Sequence, residues 1–199
     1  MTVFRKTKRD ERGAALVEFA LILPVFMMMV LGTFTGGIAY NTKQSITSAA
    51  REGSRYGATL YTTLATVSAG SESSQNCNSS GTTPNYDGWT NCVINLTMHA
   101  ASGDLDNGKS NRYICVALVL YNSTAGTSTT YSKTIDASGT YSSLGSTDCY
   151  SQNGLGSDGL STTASRVQVV TKRTKNLEFL VSTNSLTLKS SSLTMYESS

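Results

Sequence analysis

Glu18 is the one charged residue between Ala14 and Tyr40, and the 24 residues from Phe19 to Thr42 carry no charge at all. It stands near the start of the run "RGAALVEFALILPVF", where a carboxylate is out of character. Near the middle of a bilayer such a group costs about 3 kcal/mol on insertion scales, and less near an end. Two arrangements would make it tolerable. The positive end of a helix dipole together with interfacial water would stabilise it, or a nearby cation would pair with it.

Other residues with chemical potential are fewer and less suggestive. His99 is the only histidine and has no recognisable cysteine or serine partner in the sequence, so a structural role is the expectation. Asp136, Ser138 and Thr140 in "DASGT" resemble a metal-binding DxSxS pattern. That pattern should follow a buried parallel strand, and "TTYSKTI" is too polar to be one. Asp104 and Asp106 in "DLDNG" are potential calcium ligands but lack EF-hand spacing, and a turn fits them better. No metal, no cofactor and no catalytic residue is expected.

The elements that must position Glu18 follow from the charge pattern. Of 16 Lys and Arg, five (Arg5, Lys6, Lys8, Arg9 and Arg12) precede Gly13, and beyond it bases and acids balance at 11 each. The remainder therefore has no basic excess with which to neutralise phosphates, which argues against nucleic acid as a partner. About 20 apolar residues cross a bilayer as a helix. Residues 14–40 are thus expected to span the membrane, with the basic leader, residues 1–13, on the cytoplasmic side by the positive-inside rule. Pro24 and the group Gly32, Gly36 and Gly37 are expected kinks or weak points. "GTFTG" matches GxxxG, which fits either close helix packing at Gly32 and Gly36 or simple tolerance of glycine in a membrane helix.

Beyond the membrane run, Ile46, Ala49, Ala50, Gly53, Tyr56, Leu60, Leu64 and Val67 recur at spacings of three and four. This pattern predicts that the helix continues over residues 41–69 with one sheltered face. Gly53 would lie in that face, and Arg51 and Arg55 would point away from it. From Gly70 the composition turns polar and rich in turn-forming residues. Four segments then read as strands: "CVINLTM" (Cys92 to Met98), "YICVALVLY" (Tyr113 to Tyr121), "RVQVVTK" (Arg166 to Lys172) and "SLTLKSSSLTM" (Ser185 to Met195). The second, apolar almost throughout, is expected at the centre of the sheet with both faces covered. The stretch from Asn122 to Thr163 reads as a surface excursion with two possible short strands and no helix. The fold class is α+β: a long N-terminal helix packed on a C-terminal antiparallel sheet, with "RVQVVTK" and the last strand covering the helix's second half.

Cys77, Cys92, Cys115 and Cys149 all follow the membrane run and none has zinc or redox CxxC spacing. Disulfides in an oxidising compartment fit them best. Of the three possible pairings, Cys77 with Cys92 and Cys115 with Cys149 is favoured, with free buried thiols as the alternative. Residues 70–199 are accordingly read as a disulfide-linked β-rich outer domain.

A basic leader, a glycine, and a glutamate at the fifth position after it in an apolar helix resemble the prepilin cleavage signal of type IV pilins. Together with "SAAREGSRYGAT" and the closing "LTLKSSSLTMYE", "RGAALVEFALILPVF" resembles the TadE-like family of Tad/Flp pilus pseudopilins. The resemblance covers Arg12 to about Leu60 well and the last 30 residues loosely. It does not reach the serine-rich middle, and the long loop region with four cysteines departs from it. The resemblance implies cleavage between Gly13 and Ala14 by a prepilin peptidase, with Glu18 pairing with the new α-amine of its own or a neighbouring chain during assembly. It also implies other pilin or pseudopilin subunits, an inner-membrane assembly platform and membrane lipid as partners, and an outer domain in the periplasm or outside the cell. A secreted or membrane-anchored β-rich adhesive or binding domain that is not processed as a pilin is the competing reading. Glu18 and the amphipathic continuation past Tyr40 count against its secreted form.

Overall fold

Buried positions Thr42, Ile46, Ala49, Ala50, Gly53, Ser54 and Gly57 recur every three or four residues, so the second half of the first helix turns one stripe toward the rest of the protein. The computed structural model describes residues 10–61, 85–106, 111–156, 164–178 and 183–195. Helix α1 runs Asp10–Tyr61 without interruption, about 80 Å at 1.5 Å per residue. Pro24 lies inside it, and the helix continues through it. The expected continuation from Leu64 to Val67 lies outside the described residues.

Next comes α2, Tyr86–Ala100, which corrects the expected strand "CVINLTM". Val93, Ile94 and Thr97 are β-branched and favour strands in isolation. Here they belong to a helix buried over most of its length, Trp89, Cys92, Val93 and Met98 among its buried positions. Asn85 caps its start, its Oδ1 accepting from the Gly88 amide at 2.9 Å, and Asp87 stands in the first turn where the helix dipole favours a negative charge. Tertiary packing against α1 overrides the local propensity. His99 consequently sits in the last turn of this helix, exposed, and not in a strand.

Strands β1 (Arg112–Asn122), β2 (Thr127–Ile135), β3 (Arg166–Glu178) and β4 (Thr183–Met195) form one antiparallel sheet in the order β2-β1-β3-β4. As expected, β1 lies inside the sheet. Its Ile114, Val116 and Leu118 join Val167 and Val169 of β3 against the helices, while Cys115, Ala117 and Val170 face the other way. That second face is closed by the Cys115–Cys149 disulfide, which anchors the short helix α3, Cys149–Gln152, to the centre of the sheet. The Asn122 to Thr163 excursion thus contains β2, in keeping with the short strands expected there, and α3, where no helix was expected.

Helix α1 packs on α2, β3 and β4, and α2 also meets β1 and β2. The contact with β4 is a seam of hydroxyls. Ser190 Oγ donates to Thr47 Oγ1 at 3.1 Å, and Ser54 Oγ lies 2.8 Å from Ser192 Oγ and 2.9 Å from Thr194 Oγ1. The contact with α2 is closer. A Cβ at Gly53 would lie 2.1 Å from Thr97 Oγ1, and one at Gly57 would lie 2.9 Å from Val167 Cγ1 and 3.2 Å from Trp89 Cζ2. The expectation for Gly53 is corrected here, since helix α2 presses on it and the sheet does not. Tyr56 is corrected too, being 46% exposed and outside the sheltered stripe. The wholly buried Trp89 completes the contact by donating its indole N–H to Gly57 O at 3.2 Å.

Gly53→Ala should destabilise the outer domain by about 1 to 3 kcal/mol through overpacking, and Thr97→Ala should recover part of the loss. Gly36→Ala, with nothing within 4 Å, should leave the melting temperature unchanged or raised. Thermal unfolding of the full chain in detergent measures all three. Separately, Cys115→Ala with Cys149→Ala opens a cross-link of sequence separation 34 and should cost about 4 kcal/mol in the chain-entropy model, read as a fall in denaturant midpoint.

Candidate functional site

Gly13, Ala14 and Glu18 all lie in the first turns of α1, with Glu18 one helical turn beyond Ala14. Glu18 is exposed, and among the described residues it has no hydrogen-bond or ion-pair partner within the chain. A chain beginning at Ala14 would place this carboxylate in the first turn, where both the α-amine and the helix dipole carry positive charge.

Above Glu18 the helix is apolar and bare. Leu21 and Phe34 are each about 70% exposed, and none of the described residues buries the most apolar 18-residue stretch. A surface of that kind would be unstable in water, far exceeding the patches a soluble monomer leaves open. The hydroxyls in this run are satisfied within the helix, Thr33 Oγ1 donating to Val30 O at 2.8 Å and Thr35 Oγ1 to Leu31 O at 2.6 Å, so they can lie in hydrocarbon. From Glu18 to Tyr40 the helix rises about 33 Å, close to the thickness of a bilayer's hydrocarbon core. The helix could therefore anchor the chain in a membrane, with Tyr40, 66% exposed, at the level where aromatic rings favour the interface. A Cβ at Gly13, Gly32, Gly36 or Gly37 would meet nothing, so these positions are open to groups from outside the chain.

The outer end of α1 is used differently. Arg51 and Arg55 are exposed as expected, on the side away from the buried stripe. Arg51 borders a polar groove of about 600 Å³ with Lys43, Ser102 and Asp104. Asp104 is held by Lys175 at 3.2 Å, and Lys175 also donates to Thr42 Oγ1 at 2.6 Å. Asp136 forms a turn with its own neighbours: Oδ1 accepts from Ser138 N, Ser138 Oγ and Thr140 N, and these hydrogen bonds hold its carboxyl below the usual carboxylate range. Among the described residues no group of three or more His, Cys, Asp or Glu side chains is placed to hold a metal ion.

The cysteines divide into two cases. Cys115 and Cys149 are bonded to each other, the favoured pairing. Cys92 is also disulfide-bonded, whereas Cys77, its expected partner, lies outside the described residues.

The sequence reading missed Gly57. The signal was present, because "GSRYG" from Gly53 to Gly57 is a second GxxxG, and it is this one that packs closely within the chain.

With this geometry in view, residues 13–55 match the family model described as TadE-like protein. The match takes in Gly13, Ala14, Glu18, the whole apolar run and most of the sheltered stripe, so the resemblance read from the residues is borne out over that segment. It supports a Tad pilus-associated protein. No curated protein and no solved structure matches the chain.

Arg51→Ala and Arg55→Ala remove exposed charges that touch none of the core, and each should change the unfolding free energy by no more than about 0.5 kcal/mol. Denaturant titration of the two variants beside the parent checks whether the faces of α1 are assigned correctly.

Proposed function

We propose that the chain is a minor pilin or pseudopilin of a Tad/Flp-type pilus, made as a membrane-held precursor and trimmed by a prepilin peptidase between Gly13 and Ala14. Its work is assembly, not catalysis. The observation that carries this reading is Glu18: a carboxylate without a partner among the described residues, one turn from the proposed cleavage position, at the base of an apolar helix that none of the described residues covers.

The mechanism follows from what each half of α1 needs. Before trimming, the apolar half holds the precursor in the inner membrane with the outer domain in the periplasm. Trimming exposes the α-amine of Ala14, and Glu18 of the same or a neighbouring subunit takes it as a partner. Inside lipid each charge relieves the other, and the pairing sets the axial offset between adjacent helices. Losing one partner leaves an uncompensated charge, the costly case. The bare apolar surface and the open glycines Gly32 and Gly36 then pack on other pilin helices on the assembly platform, during initiation or at the tip of the fibre.

Mass spectrometry of the protein isolated from its own membrane should find Ala14 as the first residue. Gly13→Val should leave the leader attached. Glu18→Ala should still be trimmed to a large extent while pilus formation fails. A mature chain beginning at Ala14 in Gly13→Val would remove the peptidase from the account, and full pilus formation by Glu18→Ala would remove the charge pair.

A further inference from the structure

The row of residues Tyr113, Lys172 and Lys189 crosses β1, β3 and β4 in direct register. Ser190 turns its side chain to helix α1, so Lys189, its neighbour in the strand, projects from the opposite face of the sheet. Lys172 stands directly across from it on that face, its ammonium 4.8 Å from the centre of the Tyr113 ring. Like charges directly opposite one another in a sheet are destabilising. Among the described residues neither ammonium has a carboxylate partner, since Lys175 holds Asp104 and Lys133 holds Asp87. Burial, and then the charge of Lys189, push the Lys172 ammonium below its ordinary pKa.

The row has a definite height on the molecule. The Lys43 ammonium donates to the carbonyl of Lys189, and Lys43 lies three residues past Tyr40, about 5 Å along the helix axis. The polar headgroup layer extends about 5 to 7 Å beyond the hydrocarbon on each side of a bilayer. The sheet also leans into that layer. β1 pairs with β3 only as far as Arg173, whereas β3 and β4 stay paired to Glu178 and Thr183, a two-stranded ribbon that continues toward the membrane end of the molecule.

We propose that the outer sheet face at Lys172 and Lys189 is a seat for anionic phospholipid headgroups, a second membrane contact beside the helix itself. The occupant follows from charge complementarity and height. Two ammonium groups without carboxylate partners, at the level of the headgroups, fit a phosphodiester anion, and the Tyr113 ring supports the inner lysine. The inference rests on the reading of residues 14–40 as a membrane span.

The experiment uses the full chain in nanodiscs of phosphatidylcholine alone and of an equal mixture with phosphatidylglycerol. The lipid retained after gentle detergent extraction is identified by native mass spectrometry, and the melting of the outer domain is followed in each disc. Retention of phosphatidylglycerol several-fold above phosphatidylcholine, with a higher melting temperature in the mixed discs, is expected. Lys172→Gln with Lys189→Gln should bring retention to parity and abolish the shift, and Lys172→Arg with Lys189→Arg should preserve both. Equal retention by the parent chain, or retention unchanged in the glutamine variant, overturns the proposal while leaving the span intact. Inorganic phosphate that raises the melting temperature in phosphatidylcholine discs as far as phosphatidylglycerol does overturns lipid as the occupant. A chain that enters discs of neither composition overturns the span and this proposal with it.

Discussion

The rest of the outer domain depends on how close the backbone of α1 lets its neighbours come. Ala49, Ala50, Gly53 and Gly57 form a stripe with almost no side chain, so Thr97 and Trp89 of α2 and Val167 of β3 can reach the helix surface. The indole of Trp89 is buried because Gly57 leaves room for it and because the Gly57 carbonyl accepts its N–H. Without that acceptor a buried indole would carry an unsatisfied donor. A single stripe thus sets the α1 to α2 distance and satisfies the largest side chain of the core.

Because α1 is continuous from Asp10 to Tyr61, one rod belongs to two environments. Between Glu18 and Tyr40 its surface carries no charge, and none of the described residues buries its most apolar stretch. Above Thr42 it is apolar on one side only, with the hydroxyl seam to β4 and the close contact to α2 sharing the sheltered stripe. Force or register imposed on the lower half therefore reaches the outer domain through a rigid element with no loop between. Pro24 removes one amide donor from the helix, but the helix runs on for 37 residues beyond it to Tyr61.

How much of this was legible in the sequence depended on the kind of signal. The apolar run, β1, β3 and β4 were readable because composition and periodicity report directly on burial, and the expected strand ends differ from the observed ones by a few residues at most sites. The spacing of Gly13 and Glu18 is a property of the chain itself, and it falls within the segment that matches the family model. Helix α2 was not readable, since Val93, Ile94 and Thr97 carry a local preference that packing on α1 reverses; Asn85 followed by Asp87 was the cue that went unused. Gly57 was passed over for a different reason. A glycine in a helix gains meaning only from what approaches it, and neither Trp89 nor Val167 is near it in sequence. Tyr56 fell into the expected stripe because spacings of three and four admit more positions than one face can hold.

The extent of the family match has a physical sense. It ends at Arg55, before Gly57 and before any residue of α2 or the sheet. On the proposed reading, lipid, a processing enzyme and neighbouring helices would act on the lower part of α1 through its charge spacing and apolarity. What rests on the upper part is constrained only by fit: a stripe of small residues can receive a helix and a sheet edge of many sequences, provided they bring matching bulk and matching hydroxyls. Here the bulk is Trp89 and Val93, the hydroxyls are Ser190, Ser192 and Thr194, and a disulfide between Cys115 and Cys149 fixes the far face. The packing on the helix thus uses one face of the sheet, and the proposed seat at Lys172 and Lys189 lies on the other, with Cys115 and Val170, where it takes no part in that packing.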